Sequence, residues 1–86
     1  MVANETFGDT TTHDVRFLHD NVTMGFGFVE RSRSVDPERR ARTVDYAKRA
    51  YEVTLMLAAS LPLTFEQRAH LERALDLLQA AIQTVM

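Results

Sequence analysis

The sequence predicts an all-α fold, a small antiparallel (up-down-up) three-helix bundle that assembles into a homodimer. Three observations carry this prediction. Apolar residues recur at helical spacing in three segments, residues 12–31, 37–60 and 65–85. Helix-capping and helix-breaking residues separate the segments by short links, which favour antiparallel neighbours. Each segment also carries two apolar lines, which is more than one neighbouring helix can cover.

The size and composition of the chain restrict its class. It has 86 residues, enough for one domain but with little margin for burying apolar surface, and oligomerisation commonly enlarges such a core. It contains no cysteine, so it forms no disulfides and no thiolate zinc sites. It shows no signal-peptide pattern and no apolar run long enough to span a bilayer. We therefore expect a cytoplasmic protein that does not enter a membrane.

The first helical segment follows a polar stretch, residues 1–11, which lacks periodicity and is predicted to be a flexible tail. The remainder, residues 12–86, is predicted to form a single helical domain. Asp14 suits the positive end of a helix that starts near residue 12. The first apolar line of this helix is Val15, Leu18, Val22, Phe26 and Val29, and the second is Phe17, Met24 and Phe28.

Residues 24–28 also alternate in the manner of a β-strand, and Gly25 and Gly27 together cost a helix about 2 kcal/mol. A helix is still the better interpretation, because a lone strand would have no partner elsewhere in the chain. In a helix, the two glycines would let a neighbouring backbone approach closely or would mark a bend.

The second segment opens on a clear start signal. Asp36 can cap the helix, and Pro37 fits the first helical position because no N–H is needed there. Two apolar lines predict that this helix lies between the other two. They consist of Val44, Ala47, Tyr51, Leu55 and Ala58, and of Tyr46, Ala50, Val53, Leu57 and Leu61.

The link between the second and third segments contains both a helix-ending signal and a helix-starting signal. Pro62 biases Leu61 away from helical angles, and Thr64 and Gln67 have the spacing of a capping box. The third segment then repeats apolar residues at alternating spacings of four and three. Its main line is Leu71, Leu75, Leu78, Ile82 and Val85, and its second line is His70, Ala74, Leu77, Ala81 and Thr84.

Charge is unevenly distributed, although the net charge is only −2. Residues 1–30 carry five carboxylates against one arginine, and residues 31–50 carry seven basic residues against three carboxylates. Arg39, Arg40 and Arg42 lie in the first turns of a helix, where the helix dipole disfavours positive charge. They are candidates for binding an anion, nucleic-acid backbone or an acidic protein partner. Ion pairs with the first or third helix, or plain solvation, are the structural alternatives.

No catalytic, cofactor-binding or metal-binding constellation is predicted. Glu66 and His70 are the best-spaced pair for a metal, but both lie on the polar side of the third helix near its start. The carboxylates lack the apolar cleft that acid–base catalysis needs, although some small all-helical enzymes use scattered arginines and carboxylates. The sequence contains no phosphate-binding glycine loop and no DNA-reading helix-turn-helix pattern.

The sequence therefore predicts a small helical interaction or accessory module that self-associates and shows no sign of catalytic activity. The alternative is binding of nucleic acid or a phosphate ligand by the basic segment from Arg31 to Arg49. Nucleic acid is the less favoured partner, because the whole chain is acidic and few aromatic residues lie among the arginines. The predicted oligomer interface consists of Phe65, Ala74, Leu77 and Ala81.

Overall fold

A computed structural model describes the backbone of residues 2–33 and 36–86 and the side chains of residues 13–33 and 36–86. The described backbone forms three helices and contains no strand, which confirms the all-α prediction. The helices are α1 (Val2–Ser32), α2 (Pro37–Ser60) and α3 (Phe65–Val85). Both α2 and α3 begin and end at the residues expected from the sequence. Residues 34 and 35 of the first link lie outside the described residues.

α1 starts earlier than the sequence predicts. It begins at Val2, so residues 2–11, predicted as a tail, form its first turns. This stretch contains no proline and a single glycine, Gly8, so nothing blocks helical backbone, while its lack of apolar periodicity leaves no pattern to detect. The helix also continues through residues 24–28, which confirms the helical interpretation of the alternating segment.

The two predicted start signals are present as hydrogen bonds. At the start of α2, the Arg39 backbone N–H donates to Oδ1 of Asp36 across 2.9 Å. At the start of α3, the Gln67 backbone N–H donates to Thr64 Oγ1 at 3.1 Å, and the Thr64 N–H donates to Gln67 Oε1 at 2.9 Å. This reciprocal pair is a capping box. The bonds satisfy N–H groups that have no acceptor within the helix and so fix where α2 and α3 begin.

One arginine in α2 and one in α3 contact the end of the preceding helix. Nε of Arg40, in α2, donates to the carbonyl oxygen of Ser32 at the end of α1 across 3.1 Å. A guanidinium nitrogen of Arg68, in α3, lies 3.5 Å from the carbonyl oxygen of Ala58 near the end of α2. The Ala58 carbonyl also accepts the Leu61 N–H at the C-cap. Carbonyls at the end of a helix carry the negative end of the helix dipole, so a guanidinium group suits them.

The core forms where one apolar line of each helix meets the other two helices. Thr43 and Thr54 are also buried, and each hydroxyl donates to the carbonyl four residues earlier, so neither leaves an unpaired polar group in the core. The buried apolar residues are Leu18, Val22, Val29, Val44, Ala47, Ala58, Leu71, Leu75, Leu78 and Ile82.

Gly25 allows α1 and α3 to approach closely. A Cβ atom at this position would lie 2.8 Å from Cδ2 of Leu78 and 3.5 Å from Cβ of Ala50. Leu78 is fully buried, so its side chain fills the space that the missing Cβ leaves. At Gly27, by contrast, a Cβ atom would meet nothing within 4 Å. The close neighbour at Gly25 is therefore a side chain and not the backbone expected from the sequence.

The molecule is elongated, with extents of 54 × 20 × 16 Å. Its accessible surface is 6269 Å², whereas an average monomer of this mass exposes about 5,200 Å². The fold therefore leaves more surface in contact with solvent than is usual for a chain of this size.

Candidate interaction face

The two apolar lines of α1 differ in burial. Leu18 and Val22, on the first line, are 1% and 3% exposed. Phe17 and Met24, on the second line, are 55% and 52% exposed, and Phe28 is half-buried. One side of α1 is thus covered by the rest of the chain, while an equally apolar side faces solvent.

α2 shows a less complete asymmetry, because Leu55 on its first line is also 49% exposed. Tyr46 and Val53, on its second line, are 48% and 40% exposed. α3 lies on the other side of α2, because Tyr51 of α2 and Ile82 of α3 line the same cavity of about 210 Å³. α2 contacts both other helices. On the line predicted to be its second seam, Ala50, Leu57 and Leu61 are partly buried, whereas Tyr46 and Val53 remain exposed.

Two contacts bring the open lines of α1 and α2 side by side. The rings of Phe28 and Tyr46 lie 5.4 Å apart at an interplanar angle of 41°. One turn earlier in α1, Gly25 lies against Ala50 of α2. The open lines therefore form one surface, which we name the apolar face. Its members are Phe17, Met24, Phe28, Tyr46, Val53 and Leu57.

Arginines extend the apolar face at the end where α1 finishes and α2 begins. The Arg31 guanidinium carbon lies 5.7 Å from the centroid of the Phe28 ring, in a cation–π geometry. Arg39 and Arg42 are exposed and precede Tyr46 by seven and four residues. Residues at these spacings share one side of a helix, so both lie on the side of α2 that carries the apolar face.

The three arginines predicted as an anion or partner site do not converge on one point. Arg40 is turned toward the end of α1, where its Nε atom bonds to the Ser32 carbonyl. Arg39 and Arg42 are exposed on a different side of α2. This divides the predicted cluster into one residue that ties two helices together and two residues that border the apolar face.

The structure distributes the predicted interface residues over separate places. Phe65 is 88% exposed and Leu77 is 59% exposed, but they lie twelve residues apart in α3, about 18 Å along the axis and about 120° around it. Ala74 and Ala81 are partly buried against the core. The predicted interface at Phe65, Ala74, Leu77 and Ala81 stays a prediction.

The sequence carries one signal that bears on the apolar face, a surplus of apolar lines. The second lines of α1 and α2 are each as apolar as the first, and a bundle of three helices has room to bury only some of them. The prediction that α2 lies between α1 and α3 gave every apolar line a neighbouring helix to pack against. The surplus shows that some lines must stay open, but helical spacing alone does not specify which ones.

The described part of the chain holds no group of three or more metal-ligating side chains. Glu66 and His70, the best-spaced pair, are both exposed. A groove of about 420 Å³ lies between the start of α2 and the end of α3. It is lined by Pro37, Arg40, Ala41, Val44, Asp45, Lys48, Val85 and Met86.

Comparison with known protein families, with curated proteins and with solved structures finds no significant match to this chain. Within the described residues, none of the helices combines the length and the apolar character that crossing a membrane requires. Any functional assignment therefore depends on the surface of this molecule itself.

Proposed function

We propose that this chain is a cytoplasmic helical interaction module that self-associates into a homodimer. The observation that carries the proposal is the apolar face, on which four large apolar side chains are each about half exposed although the same helices bury a neighbouring line. A contiguous apolar surface of this kind is characteristic of a protein–protein contact. Its residue types, Phe, Tyr and Met, are also those enriched at protein interfaces.

We further propose that the helices run up-down-up, which places the open lines on one layer. Phe28 contacts Tyr46, whereas Gly25, three residues earlier, lies against Ala50, four residues later. Contacts that move back along α1 while moving forward along α2 support opposite directions for these two helices.

Two contacts support opposite directions for α2 and α3 as well. Val44, early in α2, lines the large groove together with Val85 at the end of α3. Ala58, late in α2, accepts the hydrogen bond from Arg68 at the start of α3. In this arrangement α1 and α2 form one layer, α3 covers one side of it, and the apolar face is the other side.

The molar mass in solution tests self-association. We would measure it by light scattering behind size-exclusion chromatography at about 10 and 100 μM, concentrations that bracket a dissociation constant in the tens of micromolar. The chain mass is 9.8 kDa, and the proposal expects twice this value at the higher concentration. A mass of one chain at both concentrations would contradict it.

The alternative function, binding of nucleic acid or a phosphate ligand, draws on the exposed Arg39 and Arg42. Arg40 lies on a different side of α2, where its Nε atom bonds to the Ser32 carbonyl, and this separation weakens the alternative because a phosphate site needs several converging cations. Titration with duplex DNA, single-stranded DNA and RNA at low ionic strength separates the two functions. Binding that falls steeply with added salt would support the alternative, and no binding would remove its nucleic-acid form.

A further inference from the structure

The charged residues of α2 follow an order around the helix. Arg49 follows Tyr46 by three residues and precedes Val53 by four, so it borders the apolar face. It joins Arg39 and Arg42 there, and we name these three residues the edge arginines. The carboxylates of α2 lie further round the helix, where they recur every seven residues as Glu38, Asp45 and Glu52. The edge arginines thus lie nearer the apolar face than the carboxylates do.

The edge arginines are exposed, and their guanidinium groups form no ion pair and no hydrogen bond within the described residues. Two of them follow a carboxylate by four residues, a spacing at which ion pairs form on a helix surface. The ion pair that forms nearby instead joins Arg33 to Glu30, at 3.9 Å. In the described part of the chain, the positive charge of the edge arginines is therefore not neutralised by a partner.

The border of the apolar face on α1 adds both signs of charge. Arg31 lies over the ring of Phe28. Glu30 lies about 120° round α1 from Met24, away from the face. The charged residues around Phe17, at the opposite end of the face, are Asp14, Arg16 and Asp20. The described charges around the face therefore comprise five arginines and two aspartates, which makes its surroundings basic.

We infer that the apolar face also binds an acidic amphipathic helix of another protein. The apolar side of this helix packs on the apolar face, and its carboxylates lie opposite the edge arginines. Binding of an amphipathic helix by an apolar groove is a common mode of peptide recognition, and opposite charges across the contact fix its orientation. On α2 the face and its edge extend from Arg39 to Leu57, about 27 Å, which matches a helix of about 18 residues.

A second copy of the chain is a less complementary occupant in charge. Each copy brings the same excess of arginines, so two faces together offer fewer carboxylates than guanidinium groups. An acidic helix can supply a carboxylate for every edge arginine. The helix and the second copy therefore compete for the face, and the helix displaces the second copy. The inference needs the apolar face but not self-association, so it goes beyond the proposed function.

Two synthetic peptides of about 18 residues test the inference. Both form amphipathic helices with leucine along one side, and the flanking positions are glutamate in the first peptide and lysine in the second. Fluorescence anisotropy of each labelled peptide, titrated with the full chain, measures binding at about 20 and 150 mM salt. We expect the glutamate peptide to bind about tenfold more tightly at the lower salt, and the preference to shrink at the higher salt, because salt screens exposed charges. Binding of the glutamate peptide that is absent, or no tighter than that of the lysine peptide, would overturn the inference.

Matched variants locate the binding site of the glutamate peptide. Arg42→Glu should weaken binding about fivefold, whereas Arg73→Glu, an equal change of charge on exposed α3 surface, should leave it unchanged. Met24→Ala should also weaken binding about fivefold through lost apolar contact, and Leu77→Ala should leave it unchanged. Circular dichroism checks that the four variants keep their helices. Equal effects within either pair would overturn the choice of face.

The proposed function and this inference fail separately. A chain that stays at 9.8 kDa alone but binds the glutamate peptide would reject self-association and keep the inference. A dimer that binds neither peptide, or both equally, would keep self-association and reject the inference. With a wild-type dimer, saturating glutamate peptide should lower the mass to that of one chain with one peptide. A dimer that keeps its mass while the peptide is bound would overturn the shared face.

Discussion

The buried and exposed lines of α1 have similar composition but opposite surroundings. Leu18 and Phe17 are adjacent in sequence, yet the first is fully buried and the second is more than half exposed. The difference arises because α3 packs on one side of the α1–α2 layer, with Leu78 seated at Gly25. Helical spacing thus identifies which residues share a line, whereas the position of the third helix decides which line becomes core.

The largest expected contrast is between alanine substitutions at these two adjacent positions. Leu18→Ala should lower the free energy of unfolding by about 3 kcal/mol, because it leaves a cavity in the core. Phe17→Ala should cost less than about 1 kcal/mol in dilute protein, and more as concentration rises, since dimerisation contributes more to stability there. Urea unfolding at two protein concentrations measures both. Equal losses at all concentrations would remove the distinction between the lines.

Asn21 lies one turn from Phe17 and from Met24 on α1, and its side-chain nitrogen is buried without a hydrogen-bond partner. Asn21→Leu should raise the free energy of unfolding by about 1 kcal/mol, because it removes an unpaired polar group and adds apolar contact. Chemical unfolding in dilute protein measures the gain. Gln79→Leu on exposed α3 surface is the control and should change stability by less than about 0.5 kcal/mol. A loss of stability in Asn21→Leu would show that the amide is satisfied in solution.

The smallest expected difference in stability is between alanine substitutions at Gly25 and at Gly27. Gly27→Ala should stabilise the chain by about 0.5–1 kcal/mol, because the alanine methyl group meets no neighbour and the helix gains intrinsic propensity. Gly25→Ala should gain less or lose stability, since its methyl group must displace the buried Leu78 side chain. Thermal unfolding of the two variants in parallel compares them. An equal gain from both would mean that Leu78 moves aside without cost.

Local signals in the sequence were sufficient for α2 and α3. Asp36 and Thr64 lie at their predicted caps, and a cap specifies a helix start through neighbours within three residues. Four residues of the main line of α3 are buried, namely Leu71, Leu75, Leu78 and Ile82. Their alternating spacing of four and three places them on one side of the helix, which identifies that side as the buried one. Features set by residues close in sequence were therefore predictable.

Features set by the packing of one helix against another were not predictable. Arg40 bonds to the end of α1, and this contact depends on how α1 and α2 pack. The sequence shows that residue 40 is a cation near the start of α2, but it does not show which carbonyl the cation meets. The early start of α1 was not predictable for a different reason, because residues 2–11 have no apolar periodicity that would indicate a helix. The apolar face depends on which sides α3 leaves uncovered, which helical spacing alone does not specify.

The most direct test of the apolar face as the interface is sedimentation equilibrium of the wild-type chain beside Met24→Glu. We expect a dimer for the wild type and a single chain for Met24→Glu, with the same helical circular dichroism, because a carboxylate at the centre of an apolar contact would be buried without a partner. Leu77→Glu, on the exposed side of α3, should remain a dimer. A dimer in Met24→Glu together with a single chain in Leu77→Glu would contradict the account and place the interface on α3.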